Sequence, residues 1–516
     1  MKLKIILFLL FFINNSHAQS PIIEWQKSLG GTNDDVANSI QQTNDGGYII
    51  AGYSASTNGD VTGNHGFSTD CWIVKLTSTG STEWQKSLGG TSPDFANSIQ
   101  QTSDGGYIVA GASYSIDGDV TVNHGDLDYW IVKLSSTGSI EWEKSLGGFY
   151  EDIANQIQQT SDGGYVVAGY SYSSNGNVTG HHGTTSYADY WIVKLSSTGT
   201  IVWQKSLGGD EWDKASSIQQ TSDGGYIVGG DSVSTNGDVT GNHGITDYWI
   251  VKLSSTGTIV WQKSLGGSYG EYVKQIQQTN DGGYIIVGFS DSLNGDVTGN
   301  HGLSDYWIVK LSSTGIIVWQ KSFGGTNYDI ANSIQQTSDG GYILTGYANS
   351  SNGNVLVNYG LNDYWILKIT STGSIEWQKS LGGSDIDFGN SIQQTSDGGY
   401  IVAGYSASTN GDVTGNHGSS DYWIIKLSST LDTNSFIQNN NLTIFPNPTK
   451  DNLIIKIDYF TPYQEITITD LLGKIIHKQS LDGLSTTIKT SNFQKGVYFL
   501  NLTEGSNKIT KKFIKE

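Results

Sequence analysis

The sequence predicts an all-β protein, and three observations lead to that prediction: a seven-fold internal repeat, a composition suited to strands and turns, and a change of pattern near the C-terminus. The motif Trp-[Gln/Glu]-Lys-Ser-[Leu/Phe]-Gly-Gly occurs seven times, at intervals of 58 to 61 residues. Aromatic residues make up 11% of the 516-residue chain, which also contains 67 Gly. Charged residues make up only 15%, too few for long solvated helices. The pattern therefore favours short strands joined by tight turns.

Each repeat predicts four antiparallel strands. In the first copy, two strands at 38–43 and 47–53 flank Asn-Asp-Gly, a tight hairpin signal. A third strand at 72–76 and a fourth at 83–87 are joined by a Ser-Thr-Gly turn. The second strand is apolar on both faces, as expected where sheets cover it on both sides. Four strands per unit of about 40–60 residues, repeated four to eight times, indicate a β-propeller.

The two ends of the repeat array complement each other. The fourth strand follows repeats one to six but not repeat seven, and residues 22–28 carry its sequence before the first repeat. We therefore predict a seven-bladed β-propeller over residues 22–430, closed by the N-terminal strand, which completes the last blade. Closure would remove free sheet edges that invite aggregation. An open β-solenoid is the alternative, but it would need no such match between its ends.

The repeat resembles the β-propeller repeats of bacterial secreted and surface proteins over residues 22–430. Its Gly-Gly, Tyr and Trp markers also loosely resemble kelch repeats, although the spacing departs from the kelch pattern. Because propellers host many unrelated functions, this resemblance implies shape alone.

The N-terminus predicts a signal peptide over residues 1–18. Lys2 and Lys4 precede an apolar stretch at 5–13, and Ser16-His17-Ala18 supplies small residues at the exit. Nine apolar residues fall well short of the roughly 20 that span a bilayer, and no later segment is apolar enough to cross a membrane. We therefore expect export without a membrane span.

The C-terminal region differs from the repeats in composition. A polar linker is predicted at 431–441, and residues 442–516 alternate like the strands of a small β-sandwich. Pro446-Asn447-Pro448, Asp470-x-x-Gly473-Lys474, Gly496-x-Tyr498 and a basic end resemble, in order, the type IX (Por) C-terminal sorting domain. The resemblance implies contact with the type IX secretion machinery, removal of the tail by a surface sortase, and a location that is secreted or at the outer-membrane surface. A generic immunoglobulin-like module is the alternative.

Charge narrows the range of partners. Residues 22–430 contain 16 Lys against 40 Asp and Glu, and the chain has no Arg. A net charge of −24 should repel nucleic acid and anionic lipid. The chain's one cysteine, Cys71, excludes an intramolecular disulfide and replaces the Tyr of six sister repeats, so we expect it to be buried.

The two long loops of every repeat should share one face of the predicted propeller, because the tight turns share the other. Turn structure is the favoured interpretation of the acids that recur there. Calcium is the second interpretation and a polar ligand surface the third, although the full calcium-loop spacing is absent. Zinc is disfavoured because the loop His come one per repeat. The calcium candidates, matched by Asn177 and Asn354 in the other two repeats, are Asp60, Asp119, Asp238, Asp296 and Asp412.

The sequence predicts no catalytic site and no organic cofactor, since no hydrolase, metalloprotease or phosphate-loop motif is present. Local asymmetry is greatest at the 184–188 insertion of repeat three and the loop after it. The ligand-face candidates there are His181, His182, Tyr187, Glu211, Trp212 and Asp213. We predict a secreted or cell-surface binding, adhesion or display module with a glycan or protein ligand. The alternatives are an extracellular polysaccharide-acting enzyme, which would need a polar cluster that departs from the repeat, and a purely structural surface protein.

Overall fold

The computed structural model describes residues 20–66, 68–429, 442–457, 465–471, 473–481, 483–504 and 507–516. The predicted signal peptide (1–18) and the predicted linker (431–441) lie outside these residues. The chain divides between Ser429 and Thr430 into two compact units, called here the repeat domain and the tail domain. All regular secondary structure in the described part is β-strand, so the all-β prediction is confirmed.

The repeat domain consists of seven four-stranded antiparallel sheets. Its first strand, β1 (Ile23–Leu29), belongs to the seventh sheet. Sheet one contains β2 (Asp35–Gln42), β3 (Tyr48–Ser54), β4 (Asp70–Leu76) and β5 (Thr82–Leu88). Sheet two contains β6 (Asp94–Gln101), β7 (Tyr107–Ser113), β8 (Asp128–Leu134) and β9 (Ile140–Leu146). Sheet three contains β10 (Asp152–Gln159), β11 (Tyr165–Ser171), β12 (Asp189–Leu195) and β13 (Ile201–Leu207). Sheet four contains β14 (Asp213–Gln220), β15 (Tyr226–Ser232), β16 (Asp247–Leu253) and β17 (Ile259–Leu265). Sheet five contains β18 (Glu271–Gln278), β19 (Tyr284–Ser290), β20 (Asp305–Leu311) and β21 (Ile317–Phe323). Sheet six contains β22 (Asp329–Gln336), β23 (Tyr342–Ala348), β24 (Asp363–Ile369) and β25 (Ile375–Leu381). Sheet seven contains β26 (Asp387–Gln394), β27 (Tyr400–Ser406), β28 (Asp421–Leu427) and, as its fourth strand, β1.

The two middle strands of each sheet are buried on both faces. In sheet one, Ile50 and Trp72 pack against sheet seven, while Ile49 and Ile73 pack against sheet two. Successive residues of a strand point to opposite faces, so a strand covered on both sides is apolar at consecutive positions. Each sheet thus stands between two neighbours, like the blade of a propeller.

Strand β1 occupies the outer position of sheet seven. It pairs antiparallel with β28, from Ile23 opposite Leu427 to Leu29 opposite Tyr422. The Gln26 side chain accepts a hydrogen bond from Trp423 Nε1 at 2.8 Å and donates one to the Asp412 carbonyl at 2.7 Å. The same Trp–Gln hydrogen bond joins the third and fourth strands of sheet one, where the two residues are only 13 apart in sequence. A strand from the start of the chain therefore replaces a local one.

Tryptophan residues join each sheet to the next. The fourth-strand Trp contacts the Tyr that begins the second strand of the following sheet, as in Trp84–Tyr107, with ring centroids 5.8 Å apart. Trp25 makes this contact from sheet seven to Tyr48 of sheet one at 5.6 Å. Its ring also lies against Gly80 (φ 79°), where a Cβ would approach within 2.9 Å of an indole carbon. Sheets seven and one are therefore in contact through the same pair of residue types as the sheets between them.

A second contact between sheets uses a buried tyrosine hydroxyl. Tyr422 in sheet seven donates to the Trp72 carbonyl of sheet one at 2.8 Å, and five further sheet pairs repeat this bond. Cys71 occupies the matching position of sheet one and is buried, as the sequence predicts.

The tail domain contains two sheets. One has three strands, β29 (Thr443–Phe445), β30 (Asn452–Lys456) and β33 (Ser485–Lys489); the other has four, β31 (Glu465–Asp470), β32 (Ile475–Ser480), β34 (Gly496–Glu504) and β35 (Asn507–Lys515). Leu453 and Ile455 of the first sheet share one core with Ile466, Leu500 and Phe513 of the second. The tail is therefore a small β-sandwich, the arrangement that its alternating sequence predicts.

Removing residues 20–28 should lower the melting temperature of the repeat domain by at least about 5 °C, because the β28 edge and the Tyr48 ring lose their cover. Thermal unfolding followed by tryptophan fluorescence would measure this. A synthetic peptide of residues 20–30 added in excess should restore the melting temperature, since a ligand that binds only the folded state stabilises it by mass action. An unchanged melting temperature would show that β1 does not stabilise sheet seven.

Candidate functional site

The first strand of every sheet lines a central channel. Residues of the first strands of all seven sheets form its wall, as in Ser39, Ile40 and Gln41 of sheet one. The Asp-Gly turns that follow these strands lie at one end of the channel, and the long loops that precede them lie at the other. This second end, the long-loop face, contains every candidate site residue that the sequence predicts.

A first set of loop acids is structural. Asp35 is fully buried, and its carboxylate accepts hydrogen bonds from Gly31 N at 2.8 Å and Ser56 Oγ at 2.9 Å. Burial raises the pKa of Asp35 to about 6, against the lowering effect of these bonds. Asp213, predicted as a ligand-face residue, has the same position in sheet four: it is 0% exposed and accepts from Gly209 N. That prediction is wrong, because a carboxylate that closes a buried loop offers no surface to a ligand.

A second set of buried acids holds the loop histidines. The Asp70 carboxylate accepts from His65 N at 2.9 Å and lies 2.7 Å from His65 Nδ1. His182, another predicted ligand-face residue, lies 3.0 Å from Asp189 in the same arrangement. The neighbouring His181 side chain is only 2% exposed and lies 3.6 Å from Asp189. Both imidazoles therefore belong to the scaffold of the loops, and His181 is too enclosed to serve as a ligand-face residue.

The calcium candidates close turns. The carboxylate of Asp60 accepts from Gly30 N at 3.3 Å, and Asp119, Asp238, Asp296 and Asp412 do the same in their own repeats. In repeats three and six the amide oxygens of Asn177 and Asn354 accept the same bond at 3.2 Å. An uncharged oxygen thus serves equally well, which supports the turn interpretation. Among the described residues, no group of three or more His, Cys, Asp or Glu side chains could hold a metal ion, and calcium stays a prediction.

The aromatic candidates lie together on the long-loop face. Tyr187 and Trp212 make an edge-to-face contact with ring centroids 5.0 Å apart, and Trp212 is 44% exposed. Beside them is a surface pocket, lined by Asp126, Tyr150, Glu151, Tyr172, Thr185 and Ser186. We call Tyr150, Tyr172, Tyr187, Trp212 and this pocket the loop patch. Glu211 is half-buried at its edge, where its backbone N–H donates to Ser234 Oγ at 3.1 Å.

Three charged residues of the channel were missed by the sequence analysis. Lys214 pairs across the ladder with Asp231 in sheet four, and Lys274 extends into the channel from sheet five. Burial raises the pKa of Asp231 to about 7, although the charges of Lys274 and Lys214 lower it. The enclosing protein also lowers the pKa of Lys274 by desolvation, even though water reaches this side chain within the channel. Comparison of the repeats position by position would have revealed all three, because sister repeats have Tyr, Phe or Ala in place of Asp231.

Comparison with known families identifies the tail domain. Residues 443–516 match the family described as secretion system C-terminal sorting domain, which confirms the resemblance seen in the sequence. The tail therefore directs the protein to the cell surface or the medium and interacts with the secretion machinery. No helix in the described part of the chain is long and apolar enough to cross a membrane.

Similarity elsewhere in the chain is weak. The regulatory protein FlaEY of Caulobacter vibrioides is 24% identical over 226 residues, which cover 40% of this chain and 23% of that protein. The match therefore spans under a quarter of FlaEY. The WD40 domain of Neurospora crassa Pan2 has a TM-score of 0.42 and 11% identity, covering 78% of this chain and 95% of that one. PorZ, an essential bacterial surface component of the type IX secretion system of Porphyromonas gingivalis, has a TM-score of 0.32 and 11% identity, covering 92% and 69%. The sheet topology of the repeat domain itself defines the fold.

The buried acids should make stability greatest in mildly acidic solution. Burial raises the pKa of Asp152 to about 7 and that of Asp213 to about 6. A raised pKa means that folding favours the protonated form, so this contribution is complete below about pH 4 and is lost as the pH rises through 6 to 7. Burial alone would raise the pKa of Asp45, but hydrogen bonds from Thr43, Gly47 N and Lys75 outweigh it and lower the value to about 2. That contribution is lost as the pH falls from about 4 to 2.

We therefore expect the highest melting temperature near pH 5, with lower values at pH 8 and pH 2.5. Asp152→Asn should reduce the gain between pH 8 and pH 5 by a few degrees, because it removes a group whose protonation drives that gain. Asp34→Asn, which removes an exposed acid, is the matched control and should leave the gain unchanged. A melting temperature that rises steadily up to pH 8 would contradict the assignment.

Proposed function

We propose that this protein is a non-catalytic binding module of the cell surface, and that the long-loop face of its repeat domain holds a glycan. The observation that carries the proposal is the loop patch, where Tyr150 and Tyr172 line a pocket together with acids and hydroxyls, and the Tyr187–Trp212 pair lies next to it in sequence. Aromatic faces suit the apolar faces of sugar rings, while carboxylates and hydroxyls suit their O–H groups. A protein ligand is the alternative occupant of the same surface.

The position of the loop patch also supports binding. A propeller made of identical repeats would present a symmetric face, whereas the insertion at 184–188 and Trp212 occur in one place only. Tyr150 is 41% exposed and Trp212 is 44% exposed. Large aromatic side chains left in water next to a pocket are typical of recognition surfaces.

The tail domain determines delivery in this proposal. A surface sortase removes residues 442–516 after export, and the repeat domain is then released or joined to surface polysaccharide. The separate core of the tail sandwich supports this division of roles, since both of its sheets pack on each other.

Ending the chain at residue 441 should leave a folded repeat domain in the periplasm of a host with a type IX secretion system. Cell fractionation with an antibody to the repeat domain would measure its location. The matched control is a periplasmic reporter carrying residues 442–516, which should reach the surface. Surface exposure of the shortened chain would show that the tail is not the export signal.

Replacing Tyr187 and Trp212 together with Ala should weaken glycan binding about tenfold without changing the melting temperature, because the two rings contact each other and little else is lost. Binding would be measured against the best ligand of a glycan array. Tyr328→Ala is the matched control: Tyr328 occupies the position of Trp212 in repeat six and is 53% exposed. Equal affinities for the double variant and the control would place binding away from the loop patch.

A further inference from the structure

The lysines of the repeat domain follow the repeat, with two exceptions. Seven lie on the third strands and seven on the fourth strands, one of each per sheet; the remaining two of the 16 are Lys214 and Lys274. The third-strand lysines are buried in ion pairs, such as Lys75 Nζ to Asp45 Oδ2 at 3.0 Å. The two exceptional lysines lie on the inner strands of adjacent sheets, β14 and β18. Asp231, the only acid at its position among the seven repeats, pairs across the ladder with Lys214, and the charges of both lysines lower its pKa.

These departures from the repeat remove structural hydrogen bonds. In five sheets an Asn at the position of Lys274 donates to a backbone carbonyl of the next sheet, as Asn155 does to Ala215 at 2.8 Å. Ser216 and Lys274 replace that Asn in sheets four and five. Among the described residues, the side chains of Lys214, Asp231 and Lys274 form no hydrogen bond and no ion pair within 4.0 Å. Lys214 and Asp231 are half-buried and Lys274 is exposed to the water of the channel, so all three charged groups are accessible to a ligand.

An aromatic collar surrounds these charges. Two positions of each repeat form this collar, that of Val36 on the first strand and that of Tyr53 on the second. Both lie on the long-loop side of the channel-lining Asn, and twelve of these fourteen residues are apolar or aromatic. Tyr272 and Phe289 stack at 4.9 Å, and Phe289 lies 5.9 Å from Lys274 Nζ. The other two positions are Lys214 and Asp231, so sheet four alone interrupts the collar with charge. Lys214 Nζ lies 4.6 Å from the Tyr170 ring.

We propose that the mouth of the channel is a binding site for a sugar residue that carries a carboxylate, reached from the long-loop face. The site adjoins the loop patch at Tyr172, whose ring lies 5.4 Å from Lys214 Nζ, but it does not include the Tyr187–Trp212 pair. Lys214 and Lys274 hold the carboxylate, because two ammonium groups against one Asp leave a net positive charge. Asp231 accepts hydrogen bonds from ring hydroxyls, and the Tyr272–Phe289 stack covers the face of the sugar. The channel cavity at Lys274 is small, about 120 Å³, so the sugar residue occupies the mouth of the channel beside the collar rather than the length of the channel.

A carboxylated sugar explains the mixture of residues better than a peptide does. A peptide carboxylate would need the lysines alone, whereas the acceptor Asp231 and the side-chain amides of Asn155 and Gln275 match a ligand with many hydroxyl groups. A bound sugar and the aromatic rings would also exclude water from the charged groups, and hydrogen bonds to charged groups become stronger where water is excluded.

The test uses the full chain and isothermal titration calorimetry with trigalacturonate as the probe. Lys274→Asn and Asp231→Tyr restore the residues of sister repeats, so the fold should tolerate both. Each should weaken binding at least about tenfold, the loss expected for one charge-assisted hydrogen bond. The Lys274→Asn variant should melt at an equal or higher temperature, because it regains the Asn bond to the next sheet.

Three controls separate the outcomes. Lys205→Gln removes one positive charge from an outer strand and should leave the affinity unchanged. The methyl ester of trigalacturonate should bind at least about tenfold more weakly, because it lacks the carboxylate. The Tyr187 and Trp212 double variant should bind trigalacturonate normally, so failure at the loop patch is distinguishable from failure here. No binding of trigalacturonate, equal binding of its ester, unchanged affinity of Lys274→Asn, or binding of a Glu-Asp-ended peptide in its place would overturn the proposal.

Discussion

Every sheet of the repeat domain is apolar on both faces, so each requires a neighbour on both sides, and the rest of the structure follows from this requirement. Ile49 and Ile50 are adjacent in sequence, yet they pack against sheets two and seven respectively. A linear stack would leave one apolar face of the first sheet and one of the last in water. Contact between sheets one and seven covers both. The position of β1 serves the same end, because it gives sheet seven the Trp that every other sheet uses to contact its neighbour.

The strands were predictable because local pattern determines them. The Asp-Gly turns fix the first hairpin of each repeat, and runs of apolar residues mark strands covered on both sides. The roles of the loop residues were less predictable. Asp213 and His181 lie in polar loops that appear exposed in sequence. His181 is enclosed beside Asp189 of its own repeat. Asp213 is enclosed by the preceding sheet, since its backbone N–H donates to the Ala188 carbonyl at 2.7 Å and Gly183 lies close to Asp210. Burial there depends on contacts between repeats, which a single repeat sequence does not contain.

Comparison between the repeats distinguishes structural residues, which recur in every repeat, from candidate binding residues, which occur in one. A residue that occurs in every repeat has the same surroundings in all seven sheets, as the Trp–Tyr contacts between sheets show. A ring of such identical contacts stabilises the fold but does not select a ligand. Trp212 and the 184–188 insertion are departures from the repeat within loops, and both are recognisable in the sequence. Lys214, Asp231 and Lys274 depart from the repeat within strands, where the apolar pattern that predicts the strands does not reveal them. Their signal was nevertheless present, since fourteen of the sixteen lysines occupy two repeat positions.

The distribution of charge connects these features. The repeat domain has an excess of acids, but a buried acid such as Asp35 has a raised pKa and accepts hydrogen bonds within its own loop, which limits its influence at a distance. The third-strand lysines are neutralised by acids such as Asp45. The fourth-strand lysines lie on the outer strands, so the positive charge on the inner, first strands of the sheets is that of Lys214 and Lys274. At physiological ionic strength the repulsion from distant surface acids is screened beyond about 8 Å, whereas a contact inside the channel is screened much less. An anion that enters the channel is consequently governed by the two ammonium groups beside it, so an acidic protein can bind an acidic sugar at this one place.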